Sequence, residues 1–519
     1  MSFKITFIGA GSVGFTRNLL RDILSVPEFQ DIQISLTDIN SKNLDMVYQL
    51  CQRDIESNGM KIQIQATTDR RKALEGARYI FCTVRVGGLE AFAHDVNIPL
   101  QYGIDQCVGD TLCAGGIFYA QRGIPALLDF CKDIRELAEP NALLLNYANP
   151  MAMMTRAVIE QGGVNILGLC HGVQHGHNQI AESIKTYINK GKSKEDPGYD
   201  DFHKSEVKYI CAGINHQTWY LKINFRGEDW TSRLYDAFMT HPEYSHSEKV
   251  RLDMLKRFGY YSTESNGHLS EYLAWYRKRP EEIPGWIDTG CWINGETGGY
   301  LRICTEGRNW FESDFPNWMA EAPQKFTPSE RGEEHGSYII EALETGRIYR
   351  GHFNLRNNHC ISNLPQDAVI EAPGYIDKTG IHIPPIGALP TGCAAVCSQS
   401  VFVQKLAVEA ALSSDIKLLR QAMLLDPLTG AVCTPAEIDQ LTDDMLIALG
   451  PWMPQWQDEV KKAHERQNEA RKKGTRIPVN QGYEGAVRLH VKSVEEMSQA
   501  SEEEKKRAAH SNKAVKADT

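Results

Sequence analysis

The sequence lacks the features that mark membrane, secreted and nucleic-acid-binding proteins. No apolar run in its 519 residues is long enough to cross a bilayer, and the mean hydropathy is −0.38. The N-terminal stretch has no basic region, long apolar segment and small-residue cleavage site in succession, so we expect no signal peptide. Lys and Arg number 56 against 66 Asp and Glu, a net charge of −10, which argues against broad binding to nucleic acid or to an anionic membrane.

The sequence also lacks a disulfide framework. Its thirteen cysteines are odd in number and show no regular spacing. We therefore expect a reducing, cytoplasmic compartment, in which a cysteine beside polar residues becomes a candidate for metal binding or catalysis.

What the sequence does contain is a regular alternation of short apolar runs and helix-length segments over roughly its first 170 residues. The predicted strands are 4–8, 32–36, 62–66, 79–84, 142–145 and 166–169. This alternation predicts a Rossmann-like α/β fold with a doubly wound parallel sheet. From about residue 209 two strands follow without an intervening helix, and helical segments come after them, which predicts an α+β C-terminal half.

A glycine motif opens the first helix of this pattern. Gly9, Gly11 and Gly14 complete G-x-G-x-x-G directly after the first predicted strand. The first glycine makes a tight turn, the second lets the backbone approach a pyrophosphate, and the third lets the helix pack on the strand. Asp38 ends the second strand, where an acid accepts hydrogen bonds from the ribose hydroxyls of NAD. We predict NAD contacts from these residues, from Ser12, and from Arg85 in the segment that follows the fourth strand.

The domain boundaries follow from these patterns. We predict an NAD-binding domain over 1–205 and a substrate and metal domain over 206–458. The segment 280–323 is rich in Gly, Pro and Trp and has little periodicity, so it is predicted to be a long loop or insertion. A charged helical extension and tail is predicted over 459–519, with 502–519 a solvated tail.

Three short polar segments fall where strands of such a sheet end: NYANP at 146–150, GLCHG at 168–172 and GINH at 213–216. Ligands of doubly wound folds bind outside the carboxyl ends of the strands. Cys170 and His216 are candidate ligands of a divalent metal. The spacing alone leaves open that Cys170 is a buried small residue and His216 a core histidine.

The chain resembles glycoside hydrolase family 4, the NAD- and metal-dependent glycosidases, over about residues 3–458, and is most similar to its melibiase-type α-galactosidases. The resemblance rests on ITFIGAGS at 5–12, NYANPM at 146–151, GLCHGVQ at 168–174 and CAGINH at 211–216. The motifs FGYY at 258–261, TES at 263–265, NLP at 363–365 and DP at 426–427 follow in the family's order.

The resemblance implies an intertwined α+β C-terminal catalytic domain, as in lactate and malate dehydrogenases. It also implies an elimination mechanism that differs from two-carboxylate glycoside hydrolysis. NAD takes hydride from C3 of the sugar, a base removes the acidified C2 proton, and the enolate expels the aglycone from C1. Water then adds, and hydride returns to C3. A divalent metal on O2 and O3 stabilises the developing negative charge.

The resemblance also implies roles for individual residues. Cys170 and His216 match the family's metal ligands, most often for Mn²⁺, and Asn149 and Asn215 match residues that hold the sugar. His171 stands where some members carry the acid that protonates the leaving oxygen, so it is the candidate general acid.

The base at C2 is harder to place. Phospho-sugar members use a tyrosine that no motif locates in this sequence. Asp253 is our candidate; the alternative interpretation is a solvated carboxylate on a helix face.

The substrate is predicted from fewer residues. The Cys170–His171 pair resembles that of members acting on unphosphorylated α-linked sugars, whereas Gly172 stands where melibiases carry Ser and is more typical of uronidases. A uronide carboxylate would need an arginine, for which Arg350 and Arg356 are candidates. We expect an α-galactosidase that binds a small-molecule α-glycoside.

Three alternatives stay open: an α-galacturonidase or α-glucuronidase of the same family, an NAD-dependent hydroxy-acid dehydrogenase, and a dinucleotide-binding protein without activity. The family's quaternary structures predict a homodimer or homotetramer.

Overall fold

One mixed sheet of thirteen strands organises residues 2–501, the part of the chain that the computed structural model describes. The predicted tail at 502–519 lies outside the described residues. The strands are β1 (Lys4–Ile8), β2 (Gln33–Thr37), β3 (Gln63–Thr67), β4 (Ala77–Cys82), β5 (Leu143–Asn146), β6 (Asn165–Gly168), β7 (Val207–Ile214), β8 (Gln217–Phe225), β9 (Glu228–Asp229), β10 (Tyr261–Ser262), β11 (Tyr349–Arg356), β12 (Val369–Asp377) and β13 (Gly380–His382).

Helices cover the sheet and connect its strands. They are α1 (Val13–Leu24), α2 (Ser41–Ser57), α3 (Arg70–Leu74), α4 (Gly88–Gln101), α5 (Cys113–Leu137), α6 (Met151–Ala157), α7 (Gly172–Ile188), α8 (Leu234–Thr240), α9 (Tyr244–Ser247), α10 (Lys249–Phe258), α11 (Asn266–Glu271), α12 (Ile283–Trp286), α13 (Gly299–Ala320), α14 (His335–Thr345), α15 (Thr391–Ser413), α16 (Ile416–Leu425), α17 (Pro427–Val432), α18 (Pro435–Leu449), α19 (Gln457–Lys473) and α20 (Val494–Gln499). Among the described helices none is both long and apolar enough to cross a membrane.

The parallel half of the sheet confirms the predicted Rossmann-like fold class. Its strands lie in the order β3-β2-β1-β4-β5-β6, and this order reverses between β1 and β4, where a doubly wound fold binds its ligand. Beyond β6 the sheet continues with antiparallel strands in the order β11, β12, β7, β8 and β10. Because one sheet runs through both halves, the halves are intertwined; the division at residue 205 stays a prediction.

Apolar cores lie on both faces of the parallel strands. Tyr79 and Phe81 of β4 join one core with α1 and α2, and Ile80 and Cys82 join the other with α5, α15 and α18. Successive side chains of a strand point to opposite faces. Burial on both faces explains why these strands are continuously apolar in sequence.

The loop predicted over 280–323 is wrong in its second half. Helix α13 occupies 22 residues there and packs against α20 of the C-terminal extension. Its Trp310 and Trp318 are buried together with Met497 of α20. Glycine and an internal proline weaken the helical pattern in the sequence, so this helix depends on tertiary packing that a local pattern does not reveal.

Candidate active site

The carboxyl ends of the parallel strands carry the predicted nucleotide loop. Gly9 follows β1 with φ +87°, and a Cβ on it would lie 2.9 Å from the backbone carbon of Thr83. Only glycine fits this left-handed conformation and this approach to the β4 loop. The segment then enters α1, whose N-cap Ser12 makes no side-chain capping bond. The free N–H groups at the start of α1 are suited to a phosphate.

Asp38 lies directly beside the same loop. Its Oδ2 accepts a hydrogen bond of 2.8 Å from the Gly11 N–H, and its Oδ1 accepts one of 2.8 Å from the Asn40 N–H. A Cβ on Gly11 would lie 2.9 Å from the Asp38 Oδ2. The glycine therefore admits the carboxylate to the position where a ribose would meet it, and Gly14 falls in the first turn of α1.

Cys170, His216 and Glu264 form a cluster of potential metal ligands at the end of β6. One ligand atom from each lies within 4.8 Å of those of the other two. The Cys170 Sγ is 3.5 Å, and the His216 Nε2 is 4.0 Å, from the Glu264 Oε1. Thiolate, imidazole and carboxylate together suit a divalent transition metal. Sequence reasoning predicted the first two ligands and missed Glu264, although it lies in the TES motif at 263–265.

The backbone holds Cys170 against the start of α7. Its Sγ accepts a hydrogen bond of 3.4 Å from the Gly172 N–H, at a helix N-terminus that favours negative charge. Burial raises the pKa of the Cys170 thiol well above its ordinary value, and the charges of Glu264 and Glu371 raise it further. A cation beside the sulfur would favour its thiolate form, as in metal sites.

A chain of hydrogen bonds orients the His216 ring through its Nδ1, on the side away from the cluster. Its Nδ1 lies 3.0 Å from the Thr111 Oγ1, and the Thr111 hydroxyl donates to the Asp110 Oδ1 at 2.8 Å. Because that hydroxyl donates onward, it accepts from the His216 Nδ1–H, which leaves Nε2 unprotonated toward the cluster. Burial lowers the pKa of His216 to about 4, so its ring is neutral at pH 7. Asn149 donates to the other Asp110 oxygen at 2.8 Å, which ties a predicted sugar-binding residue to the same chain.

His171, the predicted general acid, is paired with a glutamate. Its Nδ1 lies 3.4 Å from the Glu334 Oε1. Burial lowers the pKa of His171, but the Glu334 charge and hydrogen bond, with Glu264 and Glu371, raise it to about 9. The ring is therefore an imidazolium at neutral pH and can donate a proton. Glu334 comes from the segment before α14 and carries no signal in the sequence.

Asn215 is buried next to a second carboxyl group. Its Nδ2 donates to the Glu371 Oε2 at 3.4 Å, whereas its own Oδ1 and the Glu371 Oε1 are buried without a hydrogen-bond partner among the described residues. Burial, together with the charge of Glu264, raises the pKa of Glu371 to about 8. Buried polar atoms without partners mark places where a ligand completes the hydrogen bonding.

Two predicted site residues are not brought to the cluster. Asp253 lies on α10, where its Oδ2 accepts hydrogen bonds from Arg257 at 2.7 Å and from the Tyr276 hydroxyl at 2.8 Å. Arg350 is exposed on β11 and donates to the Tyr209 carbonyl at 3.2 Å. Both residues were predicted from the sequence segments that contain them. In the folded chain their side chains bond partners outside the cluster.

Arg85 is held among aromatic side chains from α4, α5 and α13. Its guanidinium carbon lies 4.3 Å from the ring centre of Phe92, 5.1 Å from that of Tyr300 and 5.8 Å from that of Tyr119. None of these residues belongs to the nucleotide loop at 9–14.

Comparison with known proteins shows which family the chain belongs to. A family model described as family 4 glycosyl hydrolase matches residues 4–186, and that of the family 4 glycosyl hydrolase C-terminal domain matches residues 211–429. An alpha-galactosidase of Rhizobium meliloti (strain 1021) is 54% identical over 98% of this chain and 99% of its own. An alpha-galactosidase of Bacillus subtilis (strain 168) is 32% identical over 87% of this chain and 99% of its own.

Solved structures share the fold. A 6-phospho-alpha-glucosidase from gut microorganisms in complex with NAD and Mn²⁺ superposes with a TM-score of 0.71 at 18% identity, covering 87% of this chain and 99% of that one. The 6-phospho-beta glucosidase of Thermotoga maritima superposes with a TM-score of 0.68 at 22% identity, covering 87% and 99%. With two family models matched across most of its length and close relatives covering nearly all of it, the chain belongs to glycosyl hydrolase family 4.

Proposed function

We propose that this chain is an α-galactosidase that depends on NAD and a divalent metal. The observation that carries the proposal is the cluster of Cys170, His216 and Glu264, which lies at the same sheet edge as the nucleotide loop. The alpha-galactosidase of Rhizobium meliloti, 54% identical over 98% of the chain, supports the substrate class.

The residues present fit both groups. The loop at Gly9 and Gly11, the uncapped start of α1 and the Asp38 carboxylate would hold NAD. Cys170, His216 and Glu264 would hold the metal, for which Mn²⁺ is the proposed ion. When bound, NAD supplies a hydride acceptor at the sugar's C3 and the metal a Lewis acid beside its O2 and O3.

The chain's own groups then bind the sugar and move protons. Asn149 and Asn215 hold sugar hydroxyls; the unpartnered Asn215 Oδ1 is free to accept one. The His171 imidazolium, held by Glu334, protonates the leaving oxygen at C1.

We assign the C2 base to Tyr272, a residue that the sequence motifs did not locate. Its ring stacks on His268 with 5.7 Å between centres, and His268 Nδ1 lies 3.3 Å from the Glu264 Oε2. The Tyr272 hydroxyl is buried; burial raises its pKa well above its ordinary value, and the charges of Glu271, Asp110 and Glu264 raise it further. A cation held at Glu264 would offset part of this negative charge and would favour release of the phenol proton.

The test is hydrolysis of p-nitrophenyl α-galactoside with NAD⁺, Mn²⁺ and reductant added in turn. We expect release of p-nitrophenol only when both cofactors are present. Deuterium from solvent should enter at C2 of the galactose product. Activity without either cofactor, or product without C2 deuterium, contradicts the proposed route.

Parallel assays with α-galacturonide and α-glucuronide separate the uronidase alternative. We expect the galactoside to be preferred, because Arg350 and Arg356 are exposed and offer no buried partner to a carboxylate. Net NADH accumulation with a 2-hydroxy acid would favour the dehydrogenase alternative instead. The homodimer or homotetramer and the cytoplasmic location stay predictions.

A further inference from the structure

The segment 104–112, which connects α4 and α5 and which we call the Asp110 loop, is buried along its whole length and forms no helix or strand. Its Thr111 lies 3.0 Å from the His216 Nδ1. Its Asp110 accepts hydrogen bonds from Thr111 and from Asn149. Because the backbone groups of a buried loop need partners, other parts of the chain must hold this loop. The positions of Thr111 and His216 depend on those partners.

Glu271 on α11 holds one side of the Asp110 loop. Its Oε2 accepts hydrogen bonds from the Cys107 N–H at 2.7 Å and from the Val108 N–H at 3.0 Å. Its Oε1 accepts one of 3.0 Å from the Gly109 N–H. A carboxylate bonded to three successive N–H groups fixes the backbone directly before Asp110.

The start of α13 holds the opposite side of the Asp110 loop. The Gly298 N–H donates to the Gln106 carbonyl at 2.8 Å, and the Tyr300 N–H donates to the Cys107 carbonyl at 3.2 Å. The first N–H groups of a helix have no acceptor within the helix, so they are available for this loop. The loop is therefore held between α11 and the first turn of α13.

The C-terminal extension lies against the residue that precedes this first turn. The Thr297 N–H donates to the Val487 carbonyl at 2.8 Å, and the Val487 N–H donates to the Thr297 Oγ1 at 3.2 Å. The nearby Gly485 has φ +102°, and a Cβ on it would lie 2.2 Å from the Thr297 Cγ2. Only glycine permits this conformation and this approach. The extension is thus fitted to Thr297.

Asp105 joins the Asp110 loop to the extension directly. Its buried carboxylate accepts hydrogen bonds from the Thr297 hydroxyl at 2.9 Å and from the Ala486 N–H of the extension at 2.8 Å. Arg277, which follows α11, pairs with the same carboxylate and donates from its Nε to the Asp105 carbonyl at 2.6 Å. Loss of either of the first two donors would leave a buried carboxylate with fewer partners, which destabilises this position of the loop.

We propose that the C-terminal extension positions the metal site, and that Asp105 and Thr297 are the positioning residues that connect it to Thr111 and His216. This inference rests on the proposed function and deepens it, because it names a further element that holds the metal-ligand cluster. The extension lies outside the residues that the family models match, which end at 429. None of the hydrogen bonds that connect it to the Asp110 loop involves the nucleotide loop at 9–14.

The first test is Mn²⁺ titration of Thr297→Val and Thr297→Ser in the full-length chain with NAD present. The valine variant keeps the size of the side chain but loses the hydroxyl that lies between Asp105 and Val487. We expect its Mn²⁺ dissociation constant to rise about tenfold, within the range for residues that support a metal ligand. The serine variant should restore most of the affinity. The dissociation constant of NAD, measured by fluorescence titration, should change less than about twofold, because its site shares no partner with this loop.

Gly485→Ala tests the extension itself. The added methyl clashes with Thr297 in a conformation that favours glycine, so we expect Mn²⁺ binding to weaken again with NAD binding unchanged. Gly482→Ala is the matched control in the same exposed segment, because the nearest atom to its Cβ is the Asn480 Oδ1 at 3.9 Å. Urea unfolding shows that each variant is folded under the assay conditions. A variant that unfolds at lower urea but binds Mn²⁺ as the wild type does would indicate a purely structural contact and would overturn the inference.

A double-variant cycle tests the route through Thr111. If Thr297 acts on His216 through the Thr111 hydroxyl, adding Thr297→Val to Thr111→Val should weaken Mn²⁺ binding by less than about a further twofold. Additive losses, or equal weakening of Mn²⁺ and NAD binding, would contradict the inference.

The readout is binding, so the two hypotheses can fail separately. A wild type that binds Mn²⁺ but hydrolyses no galactoside refutes the proposed function and leaves these comparisons decisive for the extension. A wild type that binds no Mn²⁺ refutes the metal site and this inference with it.

Discussion

Gly172 and Glu264 are packed so closely that position 172 has no room for a side chain. A Cβ on Gly172 would lie 1.9 Å from the Glu264 Oε1 and 3.6 Å from the Cys170 Sγ. The residue at which this sequence departs from the melibiase pattern is therefore the one that makes room for the Glu264 carboxylate in the cluster.

Gly172→Ala should weaken metal binding, because the added methyl pushes the Glu264 carboxylate away from Cys170 and His216. We expect an increase of about tenfold in the Mn²⁺ dissociation constant, within the range for changes next to a metal ligand. Titration calorimetry measures it. Gly285→Ala, whose Cβ meets nothing within 4 Å, is the control. Unchanged Mn²⁺ affinity in Gly172→Ala would show that Glu264 is not a ligand.

Thr111→Val should weaken metal binding, because Thr111 orients His216. The variant keeps the shape of the side chain but loses the hydroxyl that lies 3.0 Å from the His216 Nδ1. We expect Mn²⁺ affinity to fall by about 10- to 100-fold, and Thr111→Ser to restore most of it. If the serine variant is as weak as the valine variant, the hydroxyl is not the cause.

Glu334→Gln should move the alkaline limb of the pH profile. Glu334 raises the pKa of His171, which stands at about 9, so the imidazolium is present at neutral pH and is lost as pH rises through that value. Without the Glu334 charge the pKa falls, and kcat/KM should decline at lower pH than in the wild type.

The measurement for this variant is kcat/KM against pH with methyl α-galactoside, a poor leaving group that needs the acid. The effect should be smaller with p-nitrophenyl α-galactoside. Glu333→Gln, an exposed neighbour paired with Lys204, should leave the profile unchanged. A similar shift in both variants would indicate a general charge effect.

Tyr272→Phe and Asp253→Asn distinguish the two candidates for the C2 base. We expect Tyr272→Phe to lower kcat at least about 100-fold and to abolish deuterium exchange at C2. Asp253→Asn should retain nearly wild-type kcat, because its carboxylate bonds Arg257 and Tyr276. The reverse result would return the role to Asp253. Mn²⁺ and NAD affinities of both variants control for a misfolded site.

Met497→Ala should destabilise the protein through the C-terminal extension. Met497 is fully buried in the core that contains Trp310 and Trp318. Truncation of a buried methionine to alanine costs about 2–5 kcal/mol of unfolding free energy. Urea unfolding followed by tryptophan fluorescence measures the shift. Val494→Ala on the same helix, half-exposed, should change the midpoint little; equal shifts would show that the extension is not packed on α13.

Much of the nucleotide half was predictable from sequence, because its signals are local. The run at 4–8 is the strand Lys4–Ile8, and the glycine motif that follows it forms the turn expected of it. The resemblance placed Cys170 and His216 as ligands, and the fold brings them together. Asp253 and Arg350 were chosen by position in the chain and lie elsewhere.

The sequence by itself determined the fold class, the dinucleotide motif and two of the three side chains in the cluster. Only the tertiary structure decided the rest of the site. Glu264 contacts Cys170 across 94 residues of chain, and Asp426 accepts a hydrogen bond from the Cys113 N–H across 313 residues. No local sequence pattern indicates either contact. Periodicity and spacing report contacts within a few residues. Contacts between distant segments depend on how strands and loops pack, so Glu264, Glu334 and the surroundings of Arg85 became visible only in the folded chain.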